Sequence, residues 1–169
     1  MTDSQEVSHE TWSSFDVLGP GIHLYHDVFP KDLKIISILE DYLQDNLYSK
    51  WEPAMVGYRM KMPEYRDCFD FKFIPSMPKY SGSLPKEKFL TEMYNATYSR
   101  QLQAVKHYCG IFGVGELKYW EATNFVKYQK GQHFATHTDH GYSYNCTVSL
   151  VAFANDDFEG LNSSLLIGV

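Results

Sequence analysis

Between residues 86 and 109, apolar side chains recur every three or four positions, at Leu90, Met93, Tyr94, Tyr98, Leu102, Val105 and Tyr108. Gly110, Gly113 and Gly115 follow at once. A strand cannot gather that spacing on one face, so the segment must be a long helix that ends at the glycine cluster. Beyond it the texture changes. Residues 124–128, 134–139 and 146–153 read as three strands, separated by a turn at Lys130-Gly131 and a loop through Gly141. A long helix followed by a strand-rich half predicts an α+β fold.

The first half of the chain is less regular. Residues 1–18 read as a disordered leader, and 19–169 as a single domain. Gly19-Pro20-Gly21 punctuates the chain. Residues 22–29 then read as a strand closed by Pro30. The spacing of Ile36, Leu39, Leu43 and Leu47 predicts a helix over 31–48. Residues 49–86 mix strand-like pieces with prolines; Tyr58, Arg59, Tyr65 and Arg66 in this stretch belong either to ordinary sheet and loop or to a substrate lid.

Composition excludes several classes. Hydrophobic residues at 44% and charged residues at 21% are a globular balance. A net charge of −6 argues against a general nucleic-acid binder, which needs a basic surface. No apolar run approaches the roughly 20 residues of a membrane span. The polar, acidic N-terminus resembles neither a signal nor a transit peptide, so a cytoplasmic location is expected. Cys68, Cys109 and Cys146 are dispersed, which fits reduced thiols rather than a disulfide framework or a zinc knuckle.

Chemistry concentrates in residues 133–140, which hold three of the seven histidines and a carboxylate. If 134–139 is a strand, alternate side chains share a face, and His137 and Asp139 point the same way. Imidazole and carboxylate together suit Fe(II), Mn(II) or Zn(II), and with one further histidine they make the facial triad that leaves half the iron sphere open. An isolated His-x-Asp also recurs by chance. His133 and His137 stand four residues apart, so a helical zinc site of hydrolase type is an alternative, although residue 134 is Phe and no HExxH is present. His140 reads as a non-ligand.

The longer string favours the first of these readings, with the zinc site kept as an alternative. Tyr128-Gln129-Lys130-Gly131-Gln132-His133-Phe134-Ala135-Thr136-His137-Thr138-Asp139, followed by the hydrophobic run 147–154, an acidic turn at 155–157 and Glu159-Gly160, resembles the 2-oxoglutarate- and Fe(II)-dependent dioxygenases of the prolyl 4-hydroxylase-like branch. The similarity covers residues 124–160 and, more weakly, 22–48. It implies N-terminal helices packed on a double-stranded β-helix, or jelly-roll, here incomplete. It implies His137 and Asp139 as Fe(II) ligands, and Tyr128, Val151 and Phe153 as residues of the 2-oxoglutarate pocket. Tyr128 would turn its hydroxyl to the cosubstrate; a packed core tyrosine is the alternative. Phe134 would stand beside the metal strand. For Phe134, Val151 and Phe153, plain core packing is the competing reading. The implied reaction converts 2-oxoglutarate and O2 to succinate and CO2 while a substrate C–H bond is hydroxylated, with ascorbate as an expected requirement. The substrate, peptidyl or small-molecule, is not specified by these residues.

The pattern is interrupted after Gly160. The later histidine that completes the triad has no counterpart, and neither does the basic residue that pairs with the cosubstrate's far carboxylate; no Lys or Arg follows Lys130. Read two bases later, the codons for residues 161–165 can encode Glu-Phe and two apolar residues, close to the family pattern. Residues 161–169 are therefore read as out of frame, and the chain as a truncated or inactive fragment of an oxygenase. A non-catalytic jelly-roll binding module that retains the His-x-Asp pair is the other expectation.

Overall fold

A computed structural model describes residues 14–44, 49–57, 59–74, 85–139, 146–155 and 164–168, excepting the side chains of Lys31 and residues 164–166. In chain order the elements are β1 (Phe15–Gly19), β2 (Ile22–His26), a 3-10 turn (Lys31–Leu33), α1 (Ile35–Leu43), β3 (Glu52–Pro53), β4 (Arg66–Asp67), β5 (Phe69–Phe73), α2 (Pro85–Phe112), β6 (Thr123–Lys127), β7 (His133–Phe134), β8 (Ser149–Ala152) and β9 (Ser164–Gly168). All strand pairings among the described residues are antiparallel. The class is α+β, and the strands form open sheets, not a closed barrel, among the described residues. No helix there is long and apolar enough to cross a membrane.

The chain divides into two compact units. The first takes residues up to 33, 96–117 and 146 onward. Its sheet has the order β1-β2-β9-β8. Pro20-Gly21 closes the β1–β2 hairpin, with Gly21 at φ 70°, the conformation that the second central residue of a Pro-Gly turn requires. Such a turn fits the strand twist poorly, and the register shifts between Val17 and Gly19. Because the glycines form a hairpin, the residues before them pair with those after. Residues 15–18, expected in the leader, are therefore strand. On β2, His23, Leu24 and Tyr25 are all buried, as befits an inner strand covered on both faces. Ile167 of β9 is fully buried beside them.

Helix α2 contributes 96–112 to this unit and 85–95 to the other. Its buried stripe is Leu90, Met93, Tyr94, Thr97, Gln101, Ala104, Val105, Tyr108 and Cys109. The expected face included Tyr98 and Leu102, which are only half-buried. A true 3.6-residue period runs through Thr97 and Gln101 instead; apolarity alone had drawn the stripe one position too far. The helix ends three residues later than expected. Gly113 takes φ 62°, and Val114 N–H donates to the Cys109 carbonyl at 2.9 Å. That is a Schellman cap, so Gly113 is the terminator and Gly110 lies inside the helix.

The second unit takes 34–95 and 118–145. It holds the sheet β3-β5-β6 and the two-stranded β4-β7. Phe71 on β5 is the hub: its ring lies 5.9 Å from Tyr42, 6.4 Å from Trp51 and 6.3 Å from Phe125. Helix α1 buries Ile35, Leu39, Tyr42 and Leu43. It is shorter than the 31–48 expected, and Ile36 is exposed because it lies about 100° around the helix from Ile35. Leu47 lies outside the described residues.

Candidate metal centre

Strand β7 pairs with β4 through Phe134–Arg66 and His133–Asp67. The partner strand has only two residues, and one further bond, Ala135 N–H to the Tyr65 carbonyl at 2.7 Å, completes the ladder. Residues 136–139 have no strand partner beyond it, since the neighbouring chain turns away through 63–65. The expected strand 134–139 thus stops at Phe134. His137 and Asp139 do not share a pleated face; they meet by local folding of the chain after it.

They meet closely. His137 Nε2 stands 3.4 Å from Asp139 Oδ1. The other ring nitrogen, Nδ1, lies 3.0 Å from the Ala135 carbonyl oxygen. A carbonyl only accepts, so Nδ1 carries a proton, and Nε2 is the nitrogen that faces the carboxylate. The gap between Nε2 and the carboxylate is bridged either by a proton on Nε2 or by a metal ion. Ligands about 2.1 Å from one ion stand roughly 3.0–3.4 Å apart, so the pair has the span of two metal donors. One nitrogen and one carboxylate oxygen are donors that Fe(II), Mn(II) and Zn(II) all accept. The side chains are 35% and 46% exposed, open to an ion from solution. Among the described residues, no third His, Cys, Asp or Glu joins them.

The surroundings are aromatic and cationic. Phe134 stacks on the His137 ring, with centroids 3.8 Å apart and planes inclined by 21°. Arg66 sets its guanidinium 4.7 Å from the centre of the same Phe134 ring, and Tyr65 meets it edge-on at 5.8 Å. Arg66 Nη1 donates to the Met55 carbonyl at 3.0 Å, and Nη2 lies 3.6 Å from Asp70. Its Nε is buried without a hydrogen-bond partner. Tyr128 is about half exposed. Its hydroxyl turns inward to a hydrogen bond with the Cys68 thiol. Burial first, then Cys68, raises the pKa of that hydroxyl, and the Arg66 charge partly offsets the rise.

His133 is not part of the pair. It sits on a strand, so the helical His133–His137 zinc site is not formed, and its Nε2 is 3.2 Å from the Glu64 carbonyl. His140 lies outside the described residues, as does Tyr58. Tyr65 and Arg66 belong to turn and sheet in the described chain, where a lid was the alternative. Val151 and Phe153 belong to the first unit, where Val151 lies on the edge strand β8 and is about half exposed. Arg66 and the Ala135 carbonyl were missed as parts of the site. Arg66 reaches it only through the β4–β7 pairing, across 67 residues of chain, and no local pattern announces that.

No family model matches the chain, nor does any curated protein or solved structure.

Proposed function

We propose that this chain carries the metal centre of an Fe(II)- and 2-oxoglutarate-dependent hydroxylase of the prolyl 4-hydroxylase-like kind, on an incomplete double-stranded β-helix. His137 and Asp139 are two of its iron ligands. One observation carries the reading: Nε2 and Oδ1 stand 3.4 Å apart while the Ala135 carbonyl accepts a hydrogen bond from Nδ1–H, which turns Nε2 toward the carboxylate. Iron and 2-oxoglutarate, when bound, supply the oxidative chemistry. The chain's own residues hold the ion and orient the imidazole, while Tyr128 enters the cosubstrate pocket through the sequence resemblance alone. Val151 and Phe153 as pocket wall, and ascorbate as a requirement, enter through the sequence resemblance alone.

The test is anaerobic titration with Fe(II) and 2-oxoglutarate, reading the visible charge-transfer band that forms when the cosubstrate chelates the metal. The wild-type chain should give the band; His137→Ala and Asp139→Ala should lose it; His133→Ala should keep it. No band from the wild type would end the proposal. The second reading is a non-catalytic binding module, favoured by the lack of a third protein donor among the described residues. It predicts no succinate from 2-oxoglutarate, with or without iron.

A further inference from the structure

We infer that Phe134 is a positioning residue for His137, and that with the Ala135 carbonyl it selects the imidazole tautomer that can bind a metal. The inference rests on the metal-centre reading for its purpose, but not for its geometry.

A histidine in water prefers neither rotamer nor direction strongly enough to make a site; something must hold the ring. Here two restraints act at right angles to each other. The Phe134 ring, at 3.8 Å and 21°, limits tilt of the imidazole plane. The Ala135 carbonyl, 3.0 Å from Nδ1, limits rotation within that plane. Together they leave Nε2 one direction, toward Asp139. An imidazole flipped in place would bring a carbon to the carbonyl and lose the bond.

Each restraint is itself anchored. Ala135 cannot swing its carbonyl freely, because its own N–H is tied to Tyr65 at 2.7 Å. Phe134 is fixed by its strand pairing to Arg66, by the Tyr65 edge, and by the guanidinium over its ring. Arg66 in turn is tethered to the Met55 carbonyl. The line Met55, Arg66, Phe134, His137 therefore passes rigidity from the β4 side of the sheet to a side chain that lies outside it. Groups one shell out from a metal ligand commonly change metal affinity about 10–100-fold.

The experiment uses nitrogen-15 NMR of the metal-free chain, followed by Co(II) titration read by visible absorption. The wild type should show His137 with a protonated, pyrrole-type Nδ1 and a pyridine-type Nε2. Phe134→Leu should shift the population toward the Nε2–H tautomer and weaken Co(II) about 10-fold or more. Phe134→Tyr and Phe134→Trp, which keep a flat ring, should restore both readouts. An Nε2–H tautomer in the wild type overturns the inference without any variant. So does a Phe134→Leu chain, or a set of ring-preserving variants, whose tautomer and Co(II) affinity do not follow the ring. A wild type with the expected tautomer but no Co(II) affinity leaves the positioning intact and removes the metal-centre reading instead.

Discussion

Histidines serve opposite ends in the two units. In the first, His23 and His107 are enclosed by rings. His23 is 3% exposed and lies among Phe15, Tyr108 and Phe112, with centroids 5.1–5.3 Å away. Tyr25 O–H meets His107 Nδ1 at 2.9 Å, and Tyr108 O–H donates to the Gly21 carbonyl at 2.6 Å. In the second, His137 has one covered face and an open edge. Stacking on an aromatic ring is common to both settings. What differs is whether the second nitrogen can reach solvent. Enclosure makes an imidazole a packing piece; one open edge leaves it within reach of a ligand. His23 Nδ1, buried with no hydrogen-bond partner, shows the cost of the first solution.

The comparison breaks most readily at the metal. Removing His137 or Asp139 should weaken Co(II) or Fe(II) binding about 100-fold or more, since a lone donor holds an ion poorly, while thermal stability changes little at these exposed positions. Isothermal titration beside a melting scan checks both halves. His23→Ala should do the reverse: a loss of about 2–4 kcal/mol in urea unfolding, with unchanged metal affinity.

Alkaline pH offers the next largest effect. Burial, then the neighbouring Tyr108 and Cys109, push Tyr25 up to about 12. The unfolded chain releases that proton near pH 10. Between roughly pH 10 and 12 the unfolded state is thus favoured, with up to about 2–3 kcal/mol lost. Tyr25→Phe should remove that slope from a urea midpoint measured against pH. At the acid end, burial, then His23, lower His107. The unfolded histidine gains its proton first as pH falls below about 6.5, so stability declines from there down through the lower folded value. His107→Gln should flatten this acid limb.

The smallest effects concern the helix that carries His107 and Tyr108. An added Cβ at Gly110 meets nothing within 4 Å, so Gly110→Ala should stabilise by about 0.5–1 kcal/mol. Gly113→Ala, at positive φ, should cost about 1–2 kcal/mol. Equal effects at the two sites would mean that the cap at Gly113 is not the helix terminator.

These contrasts also show what could be read from residue order. The long helix, the strand at 123–127 and the adjacency of His137 to Asp139 were legible, because each rests on neighbours within a few positions. The extent of β7 was not, because it is set by how few residues β4 offers as a partner. Ile36 and Tyr98 were placed on buried faces by apolarity, whereas the direction of burial comes from packing elsewhere in the chain. For the site, the donors were visible and their setting was not: the Phe134 ring read as ordinary packing, and Arg66 as loop or lid. Both owe their place to a pairing that joins distant segments.

Strand β9 pairs along its whole length with β2, residues 164–168 against 22–26. During synthesis the β1–β2 hairpin therefore emerges long before its neighbour exists. At ~5–20 residues per second the wait is about seven to thirty seconds. Over that interval the β2 edge has its hydrogen-bonding groups unpaired and the apolar side of Tyr25 uncovered, and any early cleavage or stalling leaves it so. Residues 164–168, which the sequence pattern read as out of frame, are thus the ones that cover this edge.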